Sequence, residues 1–487
     1  MSRSAHFSRL KTAKTLSSKS KGSPQSSKTL ELDIVRLDSE GNGVAKLALK
    51  APNKTADIKV PHTLVGERCT VNYVAGAEVA ELVEIVHPSE QRQEPLCEHF
   101  AECGGCQLQH MAYQEQLHFK RDRMWQGLEA LLKPKSLAKK SKPKLGQRPQ
   151  SKSANAPALK SAVQKPSDIS LLASDHFGYR RRARLGISKA GQLGFRRANS
   201  NDTLSLHNCL NLSVSLQQVM QCLNRFFAQY EDLTWSSHIG HVELLDVAPS
   251  PLVLLRVVKS IPAAVFSQLC AEIEQCDWRL AVQKEKSGDY IPQVGPLASH
   301  YPLNGLDIAF EPGKFIQINE SLNQAMIKQA LEWLTLEGSE SLLDLFCGTG
   351  NISLALAQQA GQVFGIELSP EMVGLAKRNA NSLGFENVEF MAANLDDGQG
   401  VLSTYEKLSQ AQPDIIVLDP PRAGAAGFVP TLLELSPQRI LYISCHQGSF
   451  LRDLRKLAGA SYRLEKLSVM DMFPNTEHVE CMALLSR

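Results

Sequence analysis

Leu342-Leu-Asp-Leu-Phe346-Cys-Gly-Thr-Gly350-Asn351 is the stretch on which the fold turns. An apolar run of strand length ends at Phe346, and a glycine turn then opens a helix expected over Ile352 to Gln359. Glycine at that turn lets the backbone approach a ligand with no Cβ in the way. Nineteen residues past Gly348, Val363-Phe-Gly-Ile-Glu367 is a second strand ending in an acid, placed to accept hydrogen bonds from ribose hydroxyls. Together these form the nucleoside half-site of a Rossmann-like fold. The third glycine of the dinucleotide fingerprint is missing, so S-adenosylmethionine fits better than NAD.

Towards the C-terminus the same alternation of strand and helix continues. Asn394 follows a third strand (Val388 to Met391), the usual place for a contact to the adenine side, with a surface loop residue as the lesser alternative. Asp419 closes the strand Ile415-Ile-Val-Leu418, at the carboxyl edge where such sheets bind ligands. Leu441-Tyr-Ile-Ser-Cys445 is a further strand, and its terminal sulfur is expected in the same crevice as Asp419. Polar Ser444, His446 and Gln447, with a helix starting near Ser449, favour a thiolate at a helix N-terminus over a buried structural cysteine. On the last strand His478 and Glu480 alternate with apolar residues, and an inward carboxylate there could take a proton; pattern alone would make it a surface acid. A thiol, a methyl-donor pocket and a base in one domain point to uracil chemistry. The ring resists methylation at C5 unless a nucleophile first adds to C6, and a thiolate is the side chain best suited to that addition.

The doubly wound pattern occupies 311–487, and the 487-residue length leaves room for about two more folding units. Residues 89–310 carry an α+β pattern. Within them Tyr179-Arg-Arg-Arg-Ala-Arg184 and Gly194-Phe-Arg-Arg197 place arginines on strands around a turn, a plausible basic face. A helix is expected over Tyr113 to Leu132. An insertion at 133–167 holds ten Lys/Arg between Lys133 and Lys165 with no acid and several prolines, and is expected to be disordered. Cys97-x5-Cys103-Gly-Gly-Cys106 gathers three thiols on one loop, with Cys209 the nearest cysteine downstream for a fourth ligand. Four thiolates suit zinc or an iron-sulfur cluster, and spacing alone leans slightly to zinc. Short alternating segments over 29–88 suggest a small antiparallel barrel of a kind that often binds nucleic acid. Residues 1–28 form a basic tail with seven Lys/Arg and no acid.

Composition excludes other classes. Hydrophobic residues make up 43% and charged residues 21%, a globular balance, and no apolar run approaches the roughly 18 residues of a membrane span. The net charge of +3 is small, so the local placement of basic residues says more than their sum. Eleven cysteines without a secretory signal indicate reduced thiols and a cytoplasmic protein.

These motifs resemble the iron-sulfur RNA uracil-C5 methyltransferases over nearly the whole chain. The resemblance implies an α/β multidomain fold: an N-terminal OB-like barrel of the TRAM type, a central α+β iron-sulfur domain and a C-terminal Rossmann-like doubly wound methyltransferase domain. Pro61-His-Thr-Leu-Val-Gly-Glu67 matches the barrel's familiar turn, and Cys97, Cys103, Cys106 and Cys209 match the ligands of a [4Fe-4S] cluster, in place of zinc. Phe315-Ile-Gln317-Ile-Asn319, the glycine turn and Asp419-Pro-Pro-Arg-Ala-Gly424 match the donor motifs. Gln317, Phe346, Asn351, Glu367, Asn394 and Asp419 carry over as S-adenosylmethionine contacts, Cys445 as the nucleophile and Glu480 as the general base. Tyr179-Arg-Arg-Arg-Ala-Arg-Leu and Gly240-His-Val-Glu-Leu look closest to members acting on 23S rRNA, which makes that RNA the expected partner of a monomeric, non-membrane enzyme. The same chemistry on tRNA or another rRNA uridine is the first rival; a non-catalytic RNA-binding assembly factor is the second. Two departures stand out: His446-Gln447 replaces the polar residue and proline that usually follow the nucleophile, and the insertion is atypical.

Overall fold

The computed structural model describes residues 27–48, 55–133, 158–230, 234–284, 288–395, 397–409 and 412–487. The basic tail to residue 26 and the insertion from 134 to 157 lie outside the described residues.

Strands β1 (Ser27–Leu37), β2 (Gly43–Ala48), β3 (Thr55–Val60), β4 (Arg68–Val74) and β5 (Glu81–His87) form an antiparallel sheet in the order β3-β2-β1-β4-β5. Backbone bonds of Lys59 with Glu78 and Ala80 tie the β3 edge to the segment entering β5. Alternation places Leu32, Ile34, Ala45, Ile58, Val60, Cys69 and Val71 on one buried face.

Helix α1 (Tyr113–Leu132) has the bounds expected from its apolar spacing. Its Met124, Leu128 and Leu131, with Leu159, Val163 and Ile169, pack on the C-terminal domain, and β6 (Ser170–Leu172) pairs there as well. Two expectations therefore need correction. This stretch was assigned to the central domain, but its apolar face is buried elsewhere; and the insertion ends before residue 158, because Leu159 and Val163 are core residues.

The central sheet contains β7 (Arg182–Ile187), β8 (Leu193–Arg196), β9 (Thr203–Ser205), β10 (Ile239–Leu245), β11 (Leu252–Val257), β12 (Arg279–Gln283) and β13 (Ile291–Val294), in the order β13-β12-β11-β10-β7-β8-β9. Helices α2 (Val214–Ala228) and α3 (Ala263–Gln275) cover it, with Leu216, Val219, Leu223, Leu269 and Ile273 in its core. A hairpin of β14 (Ser299–Leu303) and β15 (Leu306–Phe310) leads to α4 (Glu320–Leu334).

The C-terminal domain alternates β16 (Ser341–Leu345), α5 (Asn351–Ala357), β17 (Gln362–Glu367), α6 (Pro370–Ser382), β18 (Val388–Ala392), α7 (Gly398–Leu408), β19 (Ile415–Leu418), α8 (Val429–Leu435), β20 (Arg439–Ser444) and α9 (Gln447–Ala458), then ends in β21 (Arg463–Met470) and β22 (Glu480–Ser486). The sheet order is β18-β17-β16-β19-β20-β22-β21-β6. β16 to β20 are parallel and β22 is antiparallel to both neighbours. Neighbouring strand residues separate onto two faces: Leu342, Val363, Val417 and Leu441 into one core, Leu343, Phe364, Ile416 and Tyr442 into the other. A sheet buried on both sides explains why its strands are continuously apolar. Strand order reverses between β16 and β19, and a crevice opens outside the carboxyl ends at such a switch point.

Candidate active site

At the switch point the chain leaves β16 through Phe346, whose φ of 64° lies in the left-handed region that side chains rarely adopt. The amide N–H groups of Phe346 and Cys347 both donate to Ile366 O, which turns the chain sharply back. Gly350 caps α5 at φ 91°, and a Cβ there would stand 3.0 Å from Leu354 and 3.1 Å from Phe390. Only glycine fits that turn. The result is a cleft lined by residues that include Gln317, Phe346, Asn351 and Asp419.

Glu367, ending β17, accepts the Gly348 N–H at 3.3 Å and the Ser369 N–H at 3.1 Å. The Asn351 Oδ1 accepts from the Tyr301 hydroxyl and the Asn323 amide, each at 3.2 Å. Asn394 is exposed two residues beyond β18, next to the Ala393 N–H that donates to Glu367 O. It is not one of the lining residues, whereas Tyr301 and Thr349, not foreseen from sequence, are.

Asp344 was also passed over as a site residue, although it lies inside the motif. Its carboxyl is buried; Oδ2 accepts the Ser353 hydroxyl at 2.5 Å, and Oδ1 has no partner. Burial, opposed by the Ser353 hydrogen bond and aided by the charges of Asp419 and Glu367, raises its pKa to about 7, and burial lifts Asp419 to about 6. An unpartnered buried carboxyl beside two more acids gives the cleft affinity for a cation.

Cys445 and Glu480 are brought together by the β20–β22 pairing, in which Ser444 lies opposite Cys481; each is the chain neighbour of one of that pair, and the charge of Glu480 bears on the Cys445 thiol. Glu480 is 7% exposed, and burial, with Asp419 adding to it, raises its pKa to about 8. Burial followed by the charges of Glu480 and Asp419 raises the Cys445 thiol above its ordinary value. The helix after it is capped by His446, whose ring Nδ1 accepts the Ser449 N–H at 3.2 Å. Gln447 takes the first helical position, where proline is favoured because that N–H has no partner inside the helix. Its side chain instead donates to Arg123 O on α1 at 2.7 Å.

Asn475 is the most heavily bonded side chain of the loop between β21 and Glu480. Asn475 is fully buried with φ 67°. Its N–H donates to Gln116 Oε1, and its Nδ2 donates to His176 O at 2.7 Å and to Asn211 Oδ1 at 3.2 Å. Its carbonyl accepts from Gln107 and Leu108, directly after Cys106. Asn211 in turn donates to Cys106 Sγ at 3.1 Å. The Pro474-Asn475 dipeptide is the turn signal that would have marked this position. Lys120 on α1 adds a buried ion pair to Asp471 at 2.5 Å and also donates to Phe473 O.

Cys97, Cys103, Cys106 and Cys209 lie in one neighbourhood, the charge of Cys209 bearing on Cys106, that of Cys97 on Cys103, and those of Cys103 and Cys97 on Cys209, but no three of their sulfurs lie within 4.8 Å of one another. The Cys103 backbone bridges Arg197, joining the loop to the central sheet. Burial raises all four thiols, so a metal would be needed to hold them as thiolates.

The expected basic face needs correction. Arg181 is buried, donating to Glu320 Oε2 at 2.7 Å and Gln317 O at 2.8 Å, with its guanidinium 4.8 Å from the Tyr301 ring centre. Arg182 bonds Glu243 at 2.5 Å and Lys314 O at 2.6 Å. These two arginines position the 314–320 loop that carries Gln317. Arg184, Arg196 and Arg197 are exposed, and Arg197 pairs with Glu102.

Residues 150–487 match the family model described as tRNA (Uracil-5-)-methyltransferase. The chain is 32% identical over 464 residues to the 23S rRNA (uracil(1939)-C(5))-methyltransferase RlmD of Aliivibrio fischeri (strain ATCC 700601 / ES114), covering 94% of this chain and 96% of that protein. It is 34% identical over 481 residues to the protein of the same name from Shewanella frigidimarina (strain NCIMB 400), covering 95% and 96%. The crystal structure of Pyrococcus abyssi tRNA (uracil-54, C5)-methyltransferase in complex with S-adenosyl-L-homocysteine aligns with a TM-score of 0.69 at 23% identity, over 93% of this chain and 99% of that one. That likeness is one of fold.

Proposed function

This chain belongs to the tRNA (uracil-5-)-methyltransferase family, and from that premise we propose that it methylates C5 of a uridine in 23S rRNA, with S-adenosylmethionine as donor. The observation that carries the reading is the convergence of Cys445 and Glu480 at the paired ends of β20 and β22, with the charge of Asp419 bearing on both.

S-adenosylmethionine, when bound, supplies an electrophilic methyl group on a sulfonium. The cleft suits it: Asp419 lines it, and the acids Asp344 and Glu367 lie close behind, offering negative charge to a cationic ligand. Gln317, Phe346, Asn351, Glu367, Asn394 and Asp419 are assigned to hold it. Cys445, once deprotonated, adds to C6 of a uridine taken out of its stack, a step costing a few kcal/mol that RNA contacts around the site would offset. Electron density at C5 then takes the methyl group. Glu480 removes the C5 proton, and elimination of the Cys445 sulfur restores the aromatic ring.

The four cysteines 97, 103, 106 and 209 are assigned to a [4Fe-4S] cluster. An all-thiol donor set suits it, and the Asn211 amide donating to Cys106 Sγ is the kind of contact that tunes cluster sulfurs. The cluster's work is structural on this reading, because the loop it would hold is bonded to Asn475 on the way to Glu480. The sheet of residues 27–87 is assigned as an OB-like RNA-binding barrel. A reaction on ribosomal RNA places the protein in the cytoplasm, and no helix among the described residues is long and apolar enough to cross a membrane.

The test is to delete the gene and quantify 5-methyluridine by mass spectrometry in separated 23S rRNA, 16S rRNA and tRNA, with rescue by wild type or by Cys445→Ala. Loss confined to 23S rRNA, restored by wild type alone, is the expected result. Loss in tRNA would transfer the chemistry to that substrate, and no loss would favour a non-catalytic assembly factor.

A further inference from the structure

Away from the cleft, α2 and α3 bring three metal-binding side chains together on the central domain. Cys222 lies on α2; Glu272 lies on α3, and Cys276 caps its C-terminus four residues later. Residues four apart share a helix face, so Glu272 and Cys276 both point across to α2. The two sulfurs and a carboxylate oxygen all lie within 4.8 Å of one another, and the Cys222 sulfur is 3.2 Å from Glu272 Oε1. Cys222 is 2% exposed, while Glu272 and Cys276 are half-buried, so the group is accessible from one side.

In the metal-free protein the Cys222 thiol and the Glu272 carboxylate share one proton between sulfur and oxygen. A divalent cation can take that proton's place and be held by all three groups. The spacing is also suitable. With Zn–S of about 2.3 Å and Zn–O of about 2.0 Å, the edge of a tetrahedron between sulfur and oxygen is about 3.5 Å, close to the 3.2 Å observed. A set of two thiolates and one carboxylate selects a borderline-soft ion such as zinc over magnesium or calcium, and the open side leaves its fourth position to water.

We propose that Cys222, Glu272 and Cys276 form a zinc site, separate from the four-cysteine group, that pins α2 to α3. This assignment does not depend on the methyltransferase reading.

The test is equilibrium dialysis of the full-length protein, purified anaerobically with its iron intact, against zinc buffered by a chromophoric chelator. Wild type should retain about one zinc equivalent more than Cys222→Ser/Cys276→Ser at equal iron content, and Glu272→Gln should bind that zinc at least about tenfold more weakly. X-ray absorption at the zinc edge should show sulfur at about 2.3 Å with a lighter oxygen shell. Equal zinc in wild type and the double variant overturns the proposal, as does a Cys222–Cys276 disulfide in the anaerobic protein. Should the double variant not fold, cobalt titration of wild type and Glu272→Gln decides: a thiolate-to-cobalt absorption, displaced by zinc and weakened in Glu272→Gln, supports the site, and its absence from wild type refutes it.

Discussion

Glu480 is the residue where function and stability oppose each other. Its carboxyl is buried, and its pKa rises from 4.5 to about 8. A carboxyl whose folded value is raised binds its proton more tightly in the folded state. Its stabilising contribution is therefore present below about 4.5 and is lost as pH climbs to about 8. At pH 7 the shift amounts to a cost of about 3 kcal/mol. Glu480→Gln has no proton to lose, so denaturant unfolding at pH 7 should show it more stable by about that amount, with the gain shrinking towards pH 4. The same variant cannot take the C5 proton, and methylated covalent RNA adduct should accumulate on denaturing gels; full turnover by the amide would remove Glu480 from the base role. For wild type, single-turnover rate should rise with pH through about 8 and continue to rise above it, because Glu480 must lose its proton and the Cys445 thiol, raised above its ordinary value, must do so as well. Cys445→Ala should lose methylation while still binding the donor in calorimetry.

At the scale of elements, most of the catalytic sheet could be read in advance. β19 and α1 have the bounds that their apolar runs imply, and β16, β17 and β18 agree within a residue or two. A strand buried on both faces, or a helix with one apolar stripe, writes its period into the chain. The start of α9 could not be read this way. His446 caps it through a ring nitrogen, outside the usual set of capping residues, and only the folded geometry shows that nitrogen accepting from Ser449. His446→Ala should destabilise the protein by about 1 kcal/mol in chemical unfolding and slow the chemical step by loosening the turn at Cys445. An unchanged unfolding midpoint would mean that the cap contributes nothing.

Across the whole molecule, the base-bearing loop is held by groups from distant parts of the chain. Lys120 and Asp471 are both fully buried and 351 residues apart. Removing one partner strands a charge, so Lys120→Met or Asp471→Asn should each cost about 3–5 kcal/mol, while a double apolar replacement should recover much of the loss. A thermodynamic double-mutant cycle measures this, and additive losses would show that the pair is uncoupled. By itself the sequence determined the doubly wound domain and its glycine turn, because these follow from local periodicity and short motifs; the roles expected of Glu480 and the donor contacts came from the family resemblance and not from any local pattern. Tertiary structure alone decided that α1 and β6 join the catalytic domain, that Arg181 and Arg182 brace the Gln317 loop, and that Asn475 links the cysteine loop to the approach of Glu480. Each depends on contacts between residues far apart in sequence, where a buried polar group finds its partner only after the chain has folded, and no local pattern records which partner that is.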